Sequence, residues 1–461
     1  LQQVRAPESA EIGLRLGEVL RAARRFGDAE RALGHAERGA ERPLRARIAL
    51  ERARVARDAG HVDRAGTWFG KAASLATEPP VRELAFWERA RDLEQRGAWT
   101  RARADYAQVA ALGLGRAQDA AVRTGLLWLV EGEADSARAA WARGGGEAAE
   151  FWSAVSWRSS QRERADSLLD LIARRPGYSF YRAAARDTLA RSGRPSELAP
   201  AAAPDTLGDE TLALVRDLIA AGEAADGAAL LQRWSSGDPR LSSSGRALPQ
   251  RPAPLLVASR LAYAAGRPAL GIQIARRAVE AVPDSSVSER WALVPWAYPP
   301  AYDSLVSARA DTGARAVIDR TLLLALIWQE SKFDAAARSR SNAIGLMQLK
   351  PSVANRMARL RREYPPPGEV GLMDPAINLK YGTRLLDQLR MSFGGKVTLM
   401  LAAYNAGPAS ASRWRRPEAV GGDALEAELF EYAETQDYVK SILGARQAYR
   451  ELAPHAVTPS R

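Results

Sequence analysis

The 461-residue sequence predicts an all-α protein on three observations: a helical-repeat superhelix, solenoid or ring, followed by a second α domain. The first ~290 residues are rich in Ala, Leu, Arg and Glu with few β-branched runs, a composition that favours helix. Within them a glycine followed five positions later by a small residue recurs at roughly the length of one helical hairpin. Beyond Pro300 the composition changes, and all five methionines fall between Met347 and Met400.

The repeats run Gly27/Ala32, Gly60/Ala65, Gly97/Ala102 and Gly132/Ala137, with steps of 33, 37 and 35 residues between the glycines. Phe69, Tyr106 and Trp141 stand four positions beyond the alanine in three of the copies. A glycine closes one helix with a positive-φ turn, and a small residue lets the next helix lie close. The aromatic one turn further on fills the groove between hairpins. Looser echoes follow at Gly193, Gly222/Gly227 and Gly266/Gly271. A period near 34 with this pattern resembles the tetratricopeptide hairpin, whose stacks form curved solenoids.

Residues 195–208, with Pro195, Pro200 and Pro204, and residues 234–254, rich in Ser, Pro and Gly, read as exposed loops. Tyr298-Pro299-Pro300 blocks helix continuation and marks a boundary. The expected division is therefore 1–194 superhelix, 195–298 continuation or linker helices, and 299–461 the second domain.

Several chemistries are excluded by composition. With no cysteine there is no thiolate nucleophile, iron–sulfur cluster or Cys-ligated zinc. His35, His61 and His455 are the only histidines and lie far apart, so neither a His-based metal site nor a triad is expected. Basic residues exceed acidic ones by 66 to 54, and only six of them are lysines. The excess is spread along the chain rather than gathered in runs, which reads as a solvated arginine surface, not a nucleic-acid site. No apolar run reaches the roughly 18–20 residues of a membrane span. The chain opens on Leu1 without Met, so a processed or trimmed amino terminus is expected.

Leu322 to Ser331 reads LLLALIWQES, an apolar helical run ending in one carboxylate, Glu330. Burial there raises the carboxyl pKa and holds the group protonated near neutrality, as a general acid requires. Downstream stand Gly345-Leu346-Met347-Gln348 and Ala403-Tyr404-Asn405-Ala406-Gly407. Gly345 permits close backbone approach, and Met347 and Gln348 offer an adaptable apolar wall beside an amide. Tyr404 and Asn405 stand where a helix stops at Gly407-Pro408, so they can project into a cleft.

Together with Asp374-Pro375, Asn378, Gly382, Glu434-Thr435 and Tyr438-Val439, these blocks make residues ~300–455 resemble the catalytic domain of family 1 lytic transglycosylases. That domain is a variant of the goose-type lysozyme fold, and helical repeats ahead of it resemble the soluble members of the family. The resemblance implies cleavage of the β-1,4 bond between N-acetylmuramic acid and N-acetylglucosamine in peptidoglycan, without water. It makes Glu330 first the acid on the glycosidic oxygen and then the base on the muramoyl C6 hydroxyl, leaving a 1,6-anhydro end. By motif position, the resemblance implies that Ser331 and Gln348 hydrogen-bond the sugar near the scissile bond, Gly345 belongs to the same substrate-binding set, Met347 packs on the glycan, and Tyr404 steadies the reacting ring or Glu330. Asn405, Glu434 and Tyr438 complete the expected substrate-binding set, with no metal and no cofactor. The resemblance also implies a periplasmic or otherwise exported location, and cell-wall protein partners for the repeats.

Three positions depart from the family pattern. Asn342 stands where glycine is common, which suits a positive φ. Lys350 replaces a cleft-wall methionine, and Gln436-Asp437 replaces Arg-Gly. Two other readings stay open: a muramidase or chitinase on the same fold using Glu434 or an activated water, and a non-catalytic cell-wall scaffold.

Overall fold

The computed structural model describes residues 6–175, 177–191, 210–237, 252–282, 293–312, 317–364, 366–415 and 422–452. Among them helices dominate and no strand forms, only isolated bridges from Arg338 to Ile344 and from Ile344 to Leu349. No helix among the described residues is long and apolar enough to cross a membrane. The chain divides into two compact units, Leu1–Leu168 and Leu169–Arg461.

In the first unit the hairpins close as the glycine spacing requires. Gly60, Gly97 and Gly132 have φ of 81°, 73° and 87°. In each turn the following N–H reaches five residues back: His61 to the Ala56 carbonyl at 2.8 Å, Ala98 to Leu93 at 2.9 Å and Glu133 to Trp128 at 2.9 Å. This satisfies the orphan carbonyls at the helix end. Ala65, Ala102 and Ala137 are fully buried, and Phe69, Tyr106 and Trp141 fill the grooves beyond them.

The first copy departs from the expected Gly27/Ala32 pairing. Gly27 lies inside the helix Phe26–Arg38, and Ala32 is only half-buried. The turn is made three residues earlier by Arg24, at φ 58°, with Arg25 N–H on the Leu20 carbonyl at 2.9 Å. Five and nine positions beyond Arg24 stand Ala29 and Leu33, both fully buried. The buried small residue and its partner set the register, and the left-handed residue follows, even though an arginine enters that region at a cost of about 1 kcal/mol.

The arginines of this unit are not merely solvated. Arg52 lies 3.7 Å over the Trp68 ring and donates to Glu30 at 3.0 Å. Arg103 covers Trp128 and Arg138 covers Trp157, each at 3.6 Å. Glu94 is buried, pairs with Arg123, and accepts the Tyr106 hydroxyl at 2.6 Å. A planar guanidinium stacks and forks at once, which explains why lysine is scarce here.

The second unit repeats the hairpin closure. Gly222 and Gly266 have φ of 91° and 68°, and five positions beyond them Gly227 and Gly271 are buried. A Cβ on Gly271 would lie 2.9 Å from the Tyr263 ring, so the helices cross where no side chain fits. Gly193, the 195–208 loop and most of the 234–254 loop lie outside the described residues.

The helix at 293–297 ends at Tyr298-Pro299-Pro300, and the chain then enters the core of this unit. Tyr298 stacks on Trp328 at 5.1 Å, Trp328 Nε1 donates to the Ala297 carbonyl at 2.9 Å, and the Tyr449 hydroxyl reaches the Pro299 carbonyl at 3.1 Å. Through this core runs the helix Arg320–Ser331, with every residue from Leu322 to Ile327 fully buried. Asp319 caps it by accepting from Leu322 N–H at 2.8 Å, and Arg446 of the helix Ala433–Leu452 holds the same carboxylate at 2.6 Å. The helix stops at Lys332, in the left-handed region at φ 51°.

Candidate active site

The buried helix delivers Glu330 to its last turn, half-buried, opposite the C-terminal helix. The Tyr438 hydroxyl, itself buried, donates to Glu330 Oε1 at 2.6 Å. Burial pushes the Glu330 carboxyl up to about 7, against the Tyr438 hydrogen bond and the Lys332 charge, which favour the ionised form. A carboxyl balanced there can both give and take a proton near neutral pH.

Beside it the chain from Ala337 to Leu349 folds into a tight turn organised by Asn378, which is fully buried. Asn378 Oδ1 accepts from Met347 N–H, and its Nδ2 donates to the Ile344 and Leu372 carbonyls, each at 2.8 Å. Every polar group of that amide is thus used on the backbone, which fixes the turn. Gly345 sits at φ 78°, and a Cβ there would lie 2.3 Å from both Asn378 Nδ2 and the Leu372 carbonyl. Asn342 takes φ 59° and donates to Glu369 at 2.8 Å, with Arg338 bridging both residues.

Two hydroxyls tie this turn to its neighbours. Ser331 Oγ donates to the Leu346 carbonyl at 2.9 Å, and the Tyr404 hydroxyl to the Met347 carbonyl at 2.7 Å. Ser331 and Tyr404 thus act on the backbone of the turn. Tyr438, not Tyr404, makes the hydrogen bond to Glu330. Gln348, at φ 46°, commits its amide nitrogen to the Ala337 and Gly345 carbonyls at 3.1 and 3.0 Å.

Met347 is a correction. Its side chain is fully buried, where a Cβ on Gly382 would lie 2.1 Å from its sulfur, so it packs beneath the turn instead of facing a glycan. Asn405 is exposed and accepts the buried Thr435 hydroxyl at 2.6 Å, joining the end of helix Val397–Ala406 to the start of the C-terminal helix. Glu434 stands exposed in the first turn of that helix, one turn before Tyr438. Lys350 is exposed.

Sequence reasoning passed over Lys332. Burial, and then the charge of Arg276, push its ammonium down to about 7. Its Nζ lies 3.8 Å over the Trp328 ring. Asp319 was legible in principle, since an aspartate just before an apolar run is a helix-start signal. The link from Ser441 Oγ to Gln329 Oε1 at 2.7 Å joins two helices far apart in sequence and left no local signal. Among the described residues no cluster of His, Asp or Glu could hold a metal ion.

Comparison with known proteins covers both parts of the chain. Residues 309–424 match the transglycosylase SLT domain family. The soluble lytic murein transglycosylase of Escherichia coli is 33% identical over 156 residues, 33% of this chain and 23% of that protein. Its counterpart in Salmonella typhimurium is 32% identical over 136 residues, 29% of this chain and 21% of that one. The matched stretch therefore spans less than a quarter of either relative. The fold extends further. The lytic transglycosylase Slt of Pseudomonas aeruginosa, 20% identical, superposes with a TM-score of 0.68 over 98% of this chain and 74% of that one. The 70 kDa soluble lytic transglycosylase of Escherichia coli, 18% identical, gives 0.54 over 98% and 87%. Residues 309–424 thus match the transglycosylase SLT domain family, and the chain shares an all-α fold with these solved soluble lytic transglycosylases.

Proposed function

We propose that this protein is a peptidoglycan lytic transglycosylase that cleaves the β-1,4 bond between N-acetylmuramic acid and N-acetylglucosamine, with Glu330 as its acid and base. The observation that carries the reading is the Glu330 carboxyl, raised to about 7 by burial and oriented by Tyr438. Protonated, it gives its proton to the glycosidic oxygen as the C1–O bond breaks. The carboxylate left behind then takes the proton of the muramoyl C6 hydroxyl while that oxygen closes on C1. One proton leaves and one returns, and no water is consumed. Glycosidases that use water pair two carboxylates. The groups acting on Glu330 among the described residues are Tyr438 and Lys332, with no carboxylate among them, which supports transfer within the sugar.

On this reading Ser331, Gly345, Gln348, Tyr404, Asn405, Glu434 and Tyr438 shape and line the glycan site. Residues 299–461 carry the chemistry and the helical repeats of 1–298 are its scaffold, available to cell-wall proteins as partners. Murein as substrate places the protein outside the cytoplasmic membrane. Mass spectrometry of purified sacculi digested by the protein tests the reaction. Anhydromuramoyl ends, one water lighter than hydrolytic products, are expected. Reducing ends alone overturn the reading in favour of hydrolysis, and intact sacculi overturn it in favour of a scaffold.

A further inference from the structure

A cavity of about 900 Å³ lies between the helices Ala224–Ser235 and Pro268–Ala281 and the turn that follows the helix Arg320–Ser331, and of the groups acting on Glu330 it includes only Lys332. Its volume suits a small organic ligand. Five cationic side chains line it, among them Arg267, Arg276, Arg277 and Lys332, against two carboxylates, Glu280 and Asp334. Asp334 is already engaged by the Ala336 N–H at 2.9 Å.

Arg276 and Lys332 come from separate segments and converge on one indole, at 5.5 and 3.8 Å from the Trp328 ring. Among the described residues neither forms an ion pair with a carboxylate. Two like charges held together on a half-buried wall repel each other, and an anion between them removes the cost. Burial first, and then the Arg276 charge, depress the Lys332 ammonium, while the Glu330 charge opposes them. The rest of the wall is not that of a bare anion site. Gln232 and Gln273 offer exposed amides, which match the donors and acceptors of peptide bonds, and Leu270 and Ile272 form a buried apolar floor. Trp328 is buried and covered by Lys332, so no aromatic face is open to stack a nucleobase.

We propose that this cavity binds a short acidic peptide, its free carboxylates held by Arg276 and Lys332 and its amide groups by Gln232 and Gln273. The cavity meets the surroundings of Glu330 at Lys332, and its occupation does not depend on the reaction proposed there.

Isothermal titration of the full chain with the tetrapeptide Ala-Glu-Glu-Ala, acetylated at its amino end and free at its carboxyl end, tests the assignment. Comparison probes are the same peptide with Gln for Glu and an amidated end, and inorganic phosphate. Saturable binding of the acidic peptide is expected, weakened about tenfold or more by Arg276→Gln and largely restored by Arg276→Lys. Arg276 is exposed, so the fold survives the change, and cleavage of glycan by Arg276→Gln is expected to match the native protein. Lys332→Gln is a second variant expected to weaken the peptide similarly. The proposal is overturned by no saturable binding up to roughly 10 mM, by equal binding of the neutral peptide, by phosphate binding as tightly as the peptide, or by an unchanged Arg276→Gln. Loss of peptide binding with intact glycan cleavage separates this site from the reaction at Glu330.

Discussion

The Tyr438 hydroxyl donates a 2.6 Å hydrogen bond to Glu330 Oε1 across 108 positions of sequence, and both groups are sunk between two long helices. Tyr438 stabilises the ionised form of Glu330 while burial opposes it. The orientation of the Glu330 carboxyl therefore rests on one phenol, and its proton affinity is set first by burial and then lowered by that phenol and by Lys332.

Tyr438→Phe removes the interaction that favours the carboxylate, so the Glu330 pKa rises further. A general acid is active while protonated, and activity falls as pH rises through that pKa. The alkaline limb of the pH–rate profile, expected near 7 in the native protein, moves to higher pH in the variant. The maximal rate drops roughly ten- to hundredfold as the carboxyl loses its orientation. A lower rate with an unmoved limb assigns Tyr438 to packing alone.

Glu330→Gln abolishes glycan cleavage, a loss of at least about 10²-fold, and stabilises the fold above neutral pH. The folded carboxyl holds its proton up to about 7, against an ordinary value of 4.5. The native fold therefore binds more protons than the unfolded chain between those values, and its stability falls as pH rises through the window. Above 7 the penalty is constant, on the order of 3 kcal/mol. Thermal melting of both proteins at several pH values should show the variant gaining from about pH 4.5 to 7 and level beyond.

Gly345→Ala forces a side chain to 2.3 Å from the Leu372 carbonyl at a φ of 78°. A loss of about 3 kcal/mol or more in denaturant unfolding is expected. Asn378→Leu keeps the volume but strands one N–H and two carbonyls, with a cost of similar size. Both variants should lose activity in parallel with order in the turn, read as faster amide exchange at Met347.

Arg24→Gly tests the register of the first hairpin. Relief of the left-handed arginine outweighs the added freedom of the unfolded chain, so a gain of about 0.5–1 kcal/mol is expected. Gly27→Ala, inside the helix with no atom crowding its Cβ beyond the Arg31 side chain at 4.0 Å, should also stabilise. Destabilisation by Gly27→Ala would show that Gly27 closes the turn after all.

The helical class and the hairpin spacing were legible because a turn and its buried small residue are local events, five positions apart. The first copy misled because Gly27 offers the right residue type three positions too late, and only the burial of Ala29 and Leu33 reveals the register. The burial of Glu330 was legible from the apolar run before it, whereas its place in a site was suggested only by the blocks downstream. Its partner Tyr438 carried no comparable signal, since a tyrosine on an amphipathic helix looks alike whether it packs or donates. Met347 misled for the opposite reason: a flexible apolar side chain suits a wall or a core, and the small Gly382 beneath it makes room for the core.

The closures at Arg24, Gly60, Gly97, Gly132, Gly222 and Gly266 are each sealed within one loop by a bond that reaches five residues back. A hairpin closed on itself is an interchangeable part. A lineage can lengthen or shorten such an array by whole units, because every insertion arrives with its own fastening and asks nothing of its neighbours but a matching face.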